Sequence, residues 1–471
     1  MVMNMRRYVI LVWMMAGLQV LSAGQNPPAQ STGNDSAGDR TAPAAPLSAI
    51  AGMQPEGGVE DSGSDTPQIP SLLGGKGISS AFLSEIGRSN YLRGGVSVGA
   101  AYDDNPLLLS SGGGNTGVSI FPNLSIEQST SRTRWTLGYA GGVTINDNKM
   151  LKSQNQGSHN FNFDSQYRLS SHVNLRVAEK FSMVTGFFDG GNGAGVIGSG
   201  GPNASLLTPL ATQRSSLTTV GTSYHFALND LIGASGSFYD LHFTNVPAGA
   251  QQLTDSQTAS GSAFWLHRIF RGDWGGVSYG FQRITFNPNG ETRAHNFLVV
   301  NTLSLSKRVT LTGFIGPQYV ENRFAPGGTP FQSSDLSIAG GAEGGWADQR
   351  TSVSTGYSRS ISDGGGVLGS VRLQAVHANF RRELVPGWAA AVTASHGTSE
   401  SLTPFQGSSS SARLTSAGIS VERNVGKSIG LRMGYTHDFQ QQIGLTGLAA
   451  DAHRNRFFAT LSYQWAKPLG M

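Results

Sequence analysis

The chain is predicted to be an all-β protein: a single transmembrane antiparallel β-barrel of about 18 strands (16–18), preceded by a signal peptide and a disordered N-terminal segment. Three observations carry this. Apolar and polar residues alternate with a period of two over segments of ten or more residues. Connections between those segments alternate between long and short. The composition, finally, is poor in charge and rich in glycine: charged residues make up 13% of the 471 residues, and glycine supplies 64 of them. An ordinary soluble domain carries about 25% charged residues and about 7% glycine. With only 38% hydrophobic residues, the missing charge is replaced by small polar residues, which excludes a helical membrane protein and fits poorly with a soluble enzyme.

The N-terminus has the layout of a secretory signal. Arg6 and Arg7 precede an apolar stretch from Tyr8 to Val20, and Ser22-Ala23-Gly24 supplies small residues for cleavage. The apolar part is too short for a comfortable membrane span, so residues 1–24 are expected to be removed. There is no cysteine, hence no lipid attachment site and no disulfide. Residues 25–90 are rich in Pro, Ala, Gly, Ser, Asp and Gln and read as a low-complexity, mostly disordered segment on the periplasmic side. Within it, Leu72, Leu73, Ile78, Phe82, Leu83 and Ile86 could share one face of a short helix, with a loosely structured tail as the other reading.

The barrel is expected over residues 91–471. Val118, Ile120, Pro122, Leu124 and Ile126 occupy one phase. So do Trp135, Leu137, Tyr139, Val143 and Ile145 in the next segment. In the final segment Phe457, Ala459, Leu461, Tyr463 and Trp465 alternate with Arg456, Thr460, Ser462 and Gln464. Successive side chains of a strand point to opposite faces, so each segment has one apolar and one wet side. Segments of this length match the 9–11 residues that cross a bilayer. Trp135, Phe161, Tyr239, Trp274, Tyr319, Trp346, Tyr357, Trp388 and Trp465 lie near segment ends, where interface girdles are expected. Tight links such as Ser170-Ser171, Asn229-Asp230 and Arg271-Gly272 alternate with long ones such as 104–116, 146–157 and 184–213. Short turns on one side and long loops on the other are the pattern of outer-membrane barrels, with the turns periplasmic. Closure would leave no strand edge unpaired in lipid.

The opening strand runs Gly94-Gly95-Val96-Ser97-Val98-Gly99-Ala100-Ala101-Tyr102-Asp103-Asp104-Asn105. Its aromatic-Asp-Asp-Asn ending resembles the start of a family of outer-membrane β-barrel porins associated with exopolysaccharide production and export. The resemblance extends over 91–466 in pattern and about a dozen residues in motif. It implies a signal, a variable segment and one barrel, and it alone brings in exopolysaccharide. The chain departs from the outer-membrane norm at its end, where Ala466 to Met471 follow the terminal aromatic.

The wet face carries the candidate site residues. Lumen-lining candidates are Arg134, Arg168, Arg176, Lys180, Arg372, Arg432 and Arg456, against Asp164, Glu343, Glu422 and Asp438. A net-positive lumen would favour anionic solutes; alternatively, these arginines pair with carboxylates and hold the wall. Patterns that could carry chemistry have simpler explanations. Gly276-Val277-Ser278-Tyr279-Gly280 matches a hydrolase elbow but sits inside an alternating strand rather than between strand and helix. Gly112 to Gly117 lacks a βαβ unit. His377 and His396 could meet across adjacent strands. Asp103-Asp104-Asn105 could bind a cation or serve as turn residues.

The expected function is a porin-like channel in the cell outer membrane for anionic solutes or exopolysaccharide. The alternative is a plugged structural barrel that holds surface polysaccharide, with the run Gly190-Gly191-Asn192-Gly193-Ala194-Gly195 of the longest loop as a candidate constriction. A barrel hydrolase is the third reading, without a visible catalytic set. The expected partners are outer-membrane lipid, the barrel-assembly and periplasmic chaperone machinery, and polysaccharide or small anionic solutes. No nucleic acid, enzyme activity, cofactor or metal is expected.

Overall fold

The first barrel strand, Tyr91–Asp103 (β3), pairs antiparallel with the last, Asp451–Pro468 (β20), from Tyr91↔Pro468 to Asp103↔Arg456. That pairing closes the sheet into a barrel of 18 strands, all antiparallel and all in chain order. The strands between are Asn115–Ser129 (β4), Thr133–Asn146 (β5), Gln156–Arg168 (β6), Val173–Thr185 (β7), Thr212–Ala227 (β8) and Asp230–Thr244 (β9). Next come Ser256–Phe270 (β10), Asp273–Phe286 (β11), Gly290–Ser306 (β12), Val309–Phe324 (β13), Phe331–Ala347 (β14) and Thr351–Ser362 (β15). Val371–Val385 (β16), Trp388–Ser401 (β17), Ser411–Val425 (β18) and Ile429–Ile443 (β19) complete the ring. The predicted count and architecture are those observed.

The structure, a computed structural model, describes residues 68–69, 78–79, 90–106, 113–147, 156–185, 212–244, 253–287, 290–306, 308–324, 331–364, 369–402, 410–426, 428–443 and 451–469. The expected signal peptide and most of the low-complexity segment lie outside these residues. In the stretch read as a helical patch, the described residues are Gln68–Ile69 (β1) and Ile78–Ser79 (β2), which pair as extended antiparallel strands rather than as helical turns.

Alternation decides which side chains face out. On β3, Val96, Val98 and Tyr102 are exposed at 38%, 45% and 48%, whereas Ser97, Ala101 and Asp103 between them are buried. Exposed apolar residues in phase with one another form the outer face, so the other phase points inward. The same holds around the ring: Tyr139, Phe161, Tyr279, Ile315, Ile419 and Leu461 are all exposed apolar residues of the outer phase.

Short links gather at one rim, and the long ones lie at the other, together with the short 287–289 link. Phe270↔Asp273 and Val385↔Trp388 close two-residue turns. Gly272 (φ 83°) and Gly387 (φ 81°) occupy left-handed conformations there that a side chain would strain. At the seam, a Cβ on Gly94 would lie 2.5 Å from the ring of Trp465, so only glycine lets that girdle residue lie flat across the closing strand pair.

Candidate functional site: the inner wall and the docked hairpin

Two arcs of unlike chemistry make the inner wall. One arc, β16–β20 with β3–β7, holds the charges. Arg134 on β5 donates to Glu127 on β4 at 3.1 Å, and Arg93 on β3 approaches the same carboxylate at 3.5 Å. Arg176 on β7 donates through Nε to Asp164 on β6 at 3.0 Å, with its Nη2 also on Oδ2. Arg168 and Lys180 share this inward phase. Glu422 on β18 sits between Arg381 at 2.9 Å and Arg432 at 3.5 Å. Asp438 on β19 accepts from Ser416 at 2.6 Å and lies 3.9 Å from Arg454. Arg456 is buried on β20, opposite Asp103 and Thr436. Glu343 lies on the inner phase of β14, opposite Thr312 and Gly356.

The sequence reading missed Arg93, Glu127, Arg381 and Arg454. Glu127 continues the phase of Ser119 and Asn123 just beyond the segment that was read, and Arg454 precedes Arg456 in phase; extending each alternation by one period finds them. With these residues included, Arg134, Arg176 and Arg432 each have a carboxylate across the adjacent strand. Such cross-strand pairs stitch neighbouring strands and cancel much of one another's field.

The other arc, β9–β13, is nearly free of inward charge. Leu231, Phe264, Leu266, Trp274, Leu298 and Val300 form one buried cluster on its inner face near the short-turn rim. Tyr239, Leu241 and Phe243 form another towards the long-loop rim. Between them run hydroxyl and amide pairs: Ser235 with Ser262 and Ser237 with Ser260, both at 2.6 Å, and Gln318 donating to Asn296 at 2.7 Å. The placement of Tyr239 and Trp274 in the outer girdle is therefore corrected, because both point inward and are buried. The uniformly wet inner face is corrected too. On β9 both phases carry apolar residues, Leu231 and Tyr239 inward against Ile232 and Phe238 outward, so hydrophobicity there does not report the face.

Over this arc the described residues at the end of the β15–β16 hairpin, 361–364 and 369–372, lie inside the wall. The β14–β15 ladder runs only from Gly340↔Arg359 to Ala347↔Ser352. Beyond it β15 leaves β14, while its pairing with β16 continues to Ser362↔Val371. Ile361 then packs on Ile284, Phe286, Ala294 and Val320, inner-face residues of β11–β13. The carboxylate of Asp363 accepts from Ser256 of β10 at 2.6 Å. Ser370 lies 2.7 Å from Thr292 of β12, and its carbonyl accepts from the Leu402 amide at 2.9 Å. Arg372 has the phase of outer-face Phe380, yet the inward bend places it within the barrel, bonded to Asp335 of β14. Loop 184–213, the expected constriction, lies almost wholly outside the described residues.

Asp103-Asp104-Asn105 is a clasp between the first and last strands. Arg454 Nε donates to Asp103 Oδ2 at 2.6 Å, with both side chains buried. Asp104 accepts from the backbone and side-chain nitrogens of Asn455 at 2.7 and 2.6 Å. Asn105 donates to the His453 carbonyl at 2.9 Å. These contacts engage Asp103 with a guanidinium and Asp104 with Asn455, so both carboxylates serve the seam. Among the described residues no group of three His, Cys, Asp or Glu side chains is arranged to hold a metal. Ser278 is an inward residue in the middle of β11. His377 and His396 are offset by one position, His377 opposite Ser395 and His396 opposite Val376, so they face opposite sides of the wall.

No protein-family model matches the chain, and no curated protein sequence does. Among solved structures it is similar to OpdK of Pseudomonas aeruginosa with vanillate, at 10% identity over 80% of this chain and 99% of that one, TM-score 0.40. It is similar to the ferric citrate transporter FecA in its unliganded form, at 8% identity over 81% of this chain and 79% of that one, TM-score 0.42. The FrpB iron transporter of Neisseria meningitidis matches at 10% identity over 80% and 67%, TM-score 0.41. At these scores the likeness carries no argument, and the fold rests on the chain's own closed strand order.

Proposed function

We propose that the chain is an outer-membrane barrel acting as a porin-like channel whose long-loop mouth is narrowed by the β15–β16 tip. The observation that carries this reading is a closed ring of 18 strands with an apolar outside and a largely polar inside. A ring of this size has room for an aqueous path. For the solute, the paired arginines favour wall support over a strong anion field. The partly exposed serine hydroxyls of Ser235, Ser237, Ser260 and Ser262 support a hydroxylated solute, such as a sugar chain, over a small anion. Exopolysaccharide and anionic solutes remain the two substrate classes to be separated.

The second reading, a plugged barrel that holds surface polysaccharide, is favoured by the docked tip and by the burial of the β9–β13 inner face. Single-channel recording of the refolded protein in a planar bilayer under a salt gradient tests both. Stable conductance steps with a weak ion preference support the channel for uncharged solutes, and a strong anion preference restores the anion-lumen reading. A silent bilayer containing correctly folded barrel leaves the plugged reading.

A further inference from the structure

The outer face of β11–β13 can be read in rows, since residues directly opposite on neighbouring strands share a level. Val277, Val299 and Ile315 form one row. Towards the long-loop rim follow Tyr279 opposite Phe297, then Phe281, His295 and Tyr319. The next row is Arg283, Arg293 and Glu321, and the one beyond it is Thr285, Glu291 and Arg323. Same-face rows are two residues apart, about 7 Å along the strand. The outer wall thus passes from aliphatic to aromatic to guanidinium within three steps.

Arg283 and Arg293 stand directly opposite each other, an arrangement that disfavours a strand pair unless an anion is shared. Glu291 supplies one: it accepts from Arg283 at 3.0 Å and also from Arg293. Arg323 adds a third cation, 4.0 Å from Glu321. All three guanidinium side chains remain accessible, at 49%, 36% and 52%. Each presents donors in a fork that matches phosphate oxygens.

We propose that this patch binds the phosphate-bearing head group of a membrane lipid. Resting on the reading of the chain as a membrane barrel, the site seats an acyl chain along Val277, Val299 and Ile315. The aromatic row marks the edge of the hydrocarbon, and the phosphate reaches Arg283 and Arg293. That continuity between apolar rows and arginines selects a lipid over a free phosphate ion, which would gain nothing from the rows below.

The test uses the full chain in detergent micelles, with native mass spectrometry of the lipid retained. The probes are phosphatidic acid and phosphatidylcholine with identical acyl chains. The intact protein should retain phosphatidic acid at least about fivefold more than phosphatidylcholine, and Arg283→Gln with Arg293→Gln should remove that preference. Arg413→Gln, on the outer phase of β18, should leave it unchanged. Equal preference in the double variant and the intact protein overturns the proposal. So does full displacement by inorganic phosphate, which would mark a free-anion site. SDS-resistant migration reports folding in each sample: loss of lipid preference in the intact, folded protein defeats the head-group site alone. Failure of that protein to insert into any bilayer defeats the membrane reading.

Discussion

Asp103 and Arg454 show how much a single pair can matter in a closed sheet. Both are buried, and they tie the only two strands that the chain does not connect covalently in sequence order. Asp103→Ala would leave the buried guanidinium of Arg454 with Asp438 as a remaining carboxylate, at a cost below the ~3–5 kcal/mol of a fully orphaned buried charge. The expected outcome is a marked drop in the temperature at which the folded, fast-migrating form is lost on electrophoresis; Asp103→Asn, which keeps the shape, should lower it less. An unchanged transition in Asp103→Ala would mean that the backbone ladder alone closes the seam. Arg134 and Arg176 are a different case, because their pairs are half exposed and worth little to stability. Arg134→Glu with Arg176→Glu removes two cations and leaves Glu127 and Asp164 facing new carboxylates. The double variant should be folded and shifted toward cations in reversal potential. No shift would mean that the permeation path does not pass this arc.

At the scale of elements, the hairpin tip is held by a few polar contacts and one apolar residue rather than by a continuous ladder. One of its anchors on the far wall is the Ser256–Asp363 hydrogen bond. Since the chain has no cysteine, Ser256→Cys with Asp363→Cys can be bridged specifically by a short bis-thiol reagent. Unbridged, the pair lacks its hydrogen bond, and channel conductance should rise above that of the intact protein. Bridged, it should fall back. Equal conductance in both states would show that the tip does not lie on the path. The strands were legible from alternation, and so were the tight turns, because both are local. The tip was not: 107 residues separate Ser256 from Asp363, and the glycine-rich 363–370 link reads like any other long barrel loop. Tyr239 and Trp274 were misplaced for a related reason. An aromatic near a strand end fits a girdle and an inner cluster equally well until the phase of the whole strand is known.

For the whole molecule, closure makes the strand order nearly inevitable. Each strand needs two partners, neighbours in sequence are joined by short turns at one rim, and β3 and β20 are left as mutual partners. Alternation then assigns an outside and an inside to every strand. That is why Arg134, Arg168, Arg176, Lys180, Arg432, Arg456, Asp164, Glu343, Glu422 and Asp438 could be placed on one face without knowledge of any contact. The sequence by itself determined the barrel, its strand number to within two and the side of the wall on which most residues lie, because a strand's side-chain period of two is a local property. Only the tertiary structure decided which charges pair, which arc of the wall is nearly free of inward charge and where the end of the β15–β16 hairpin docks. Those features depend on side chains from strands far apart in sequence meeting across the ring, and no local period encodes such meetings.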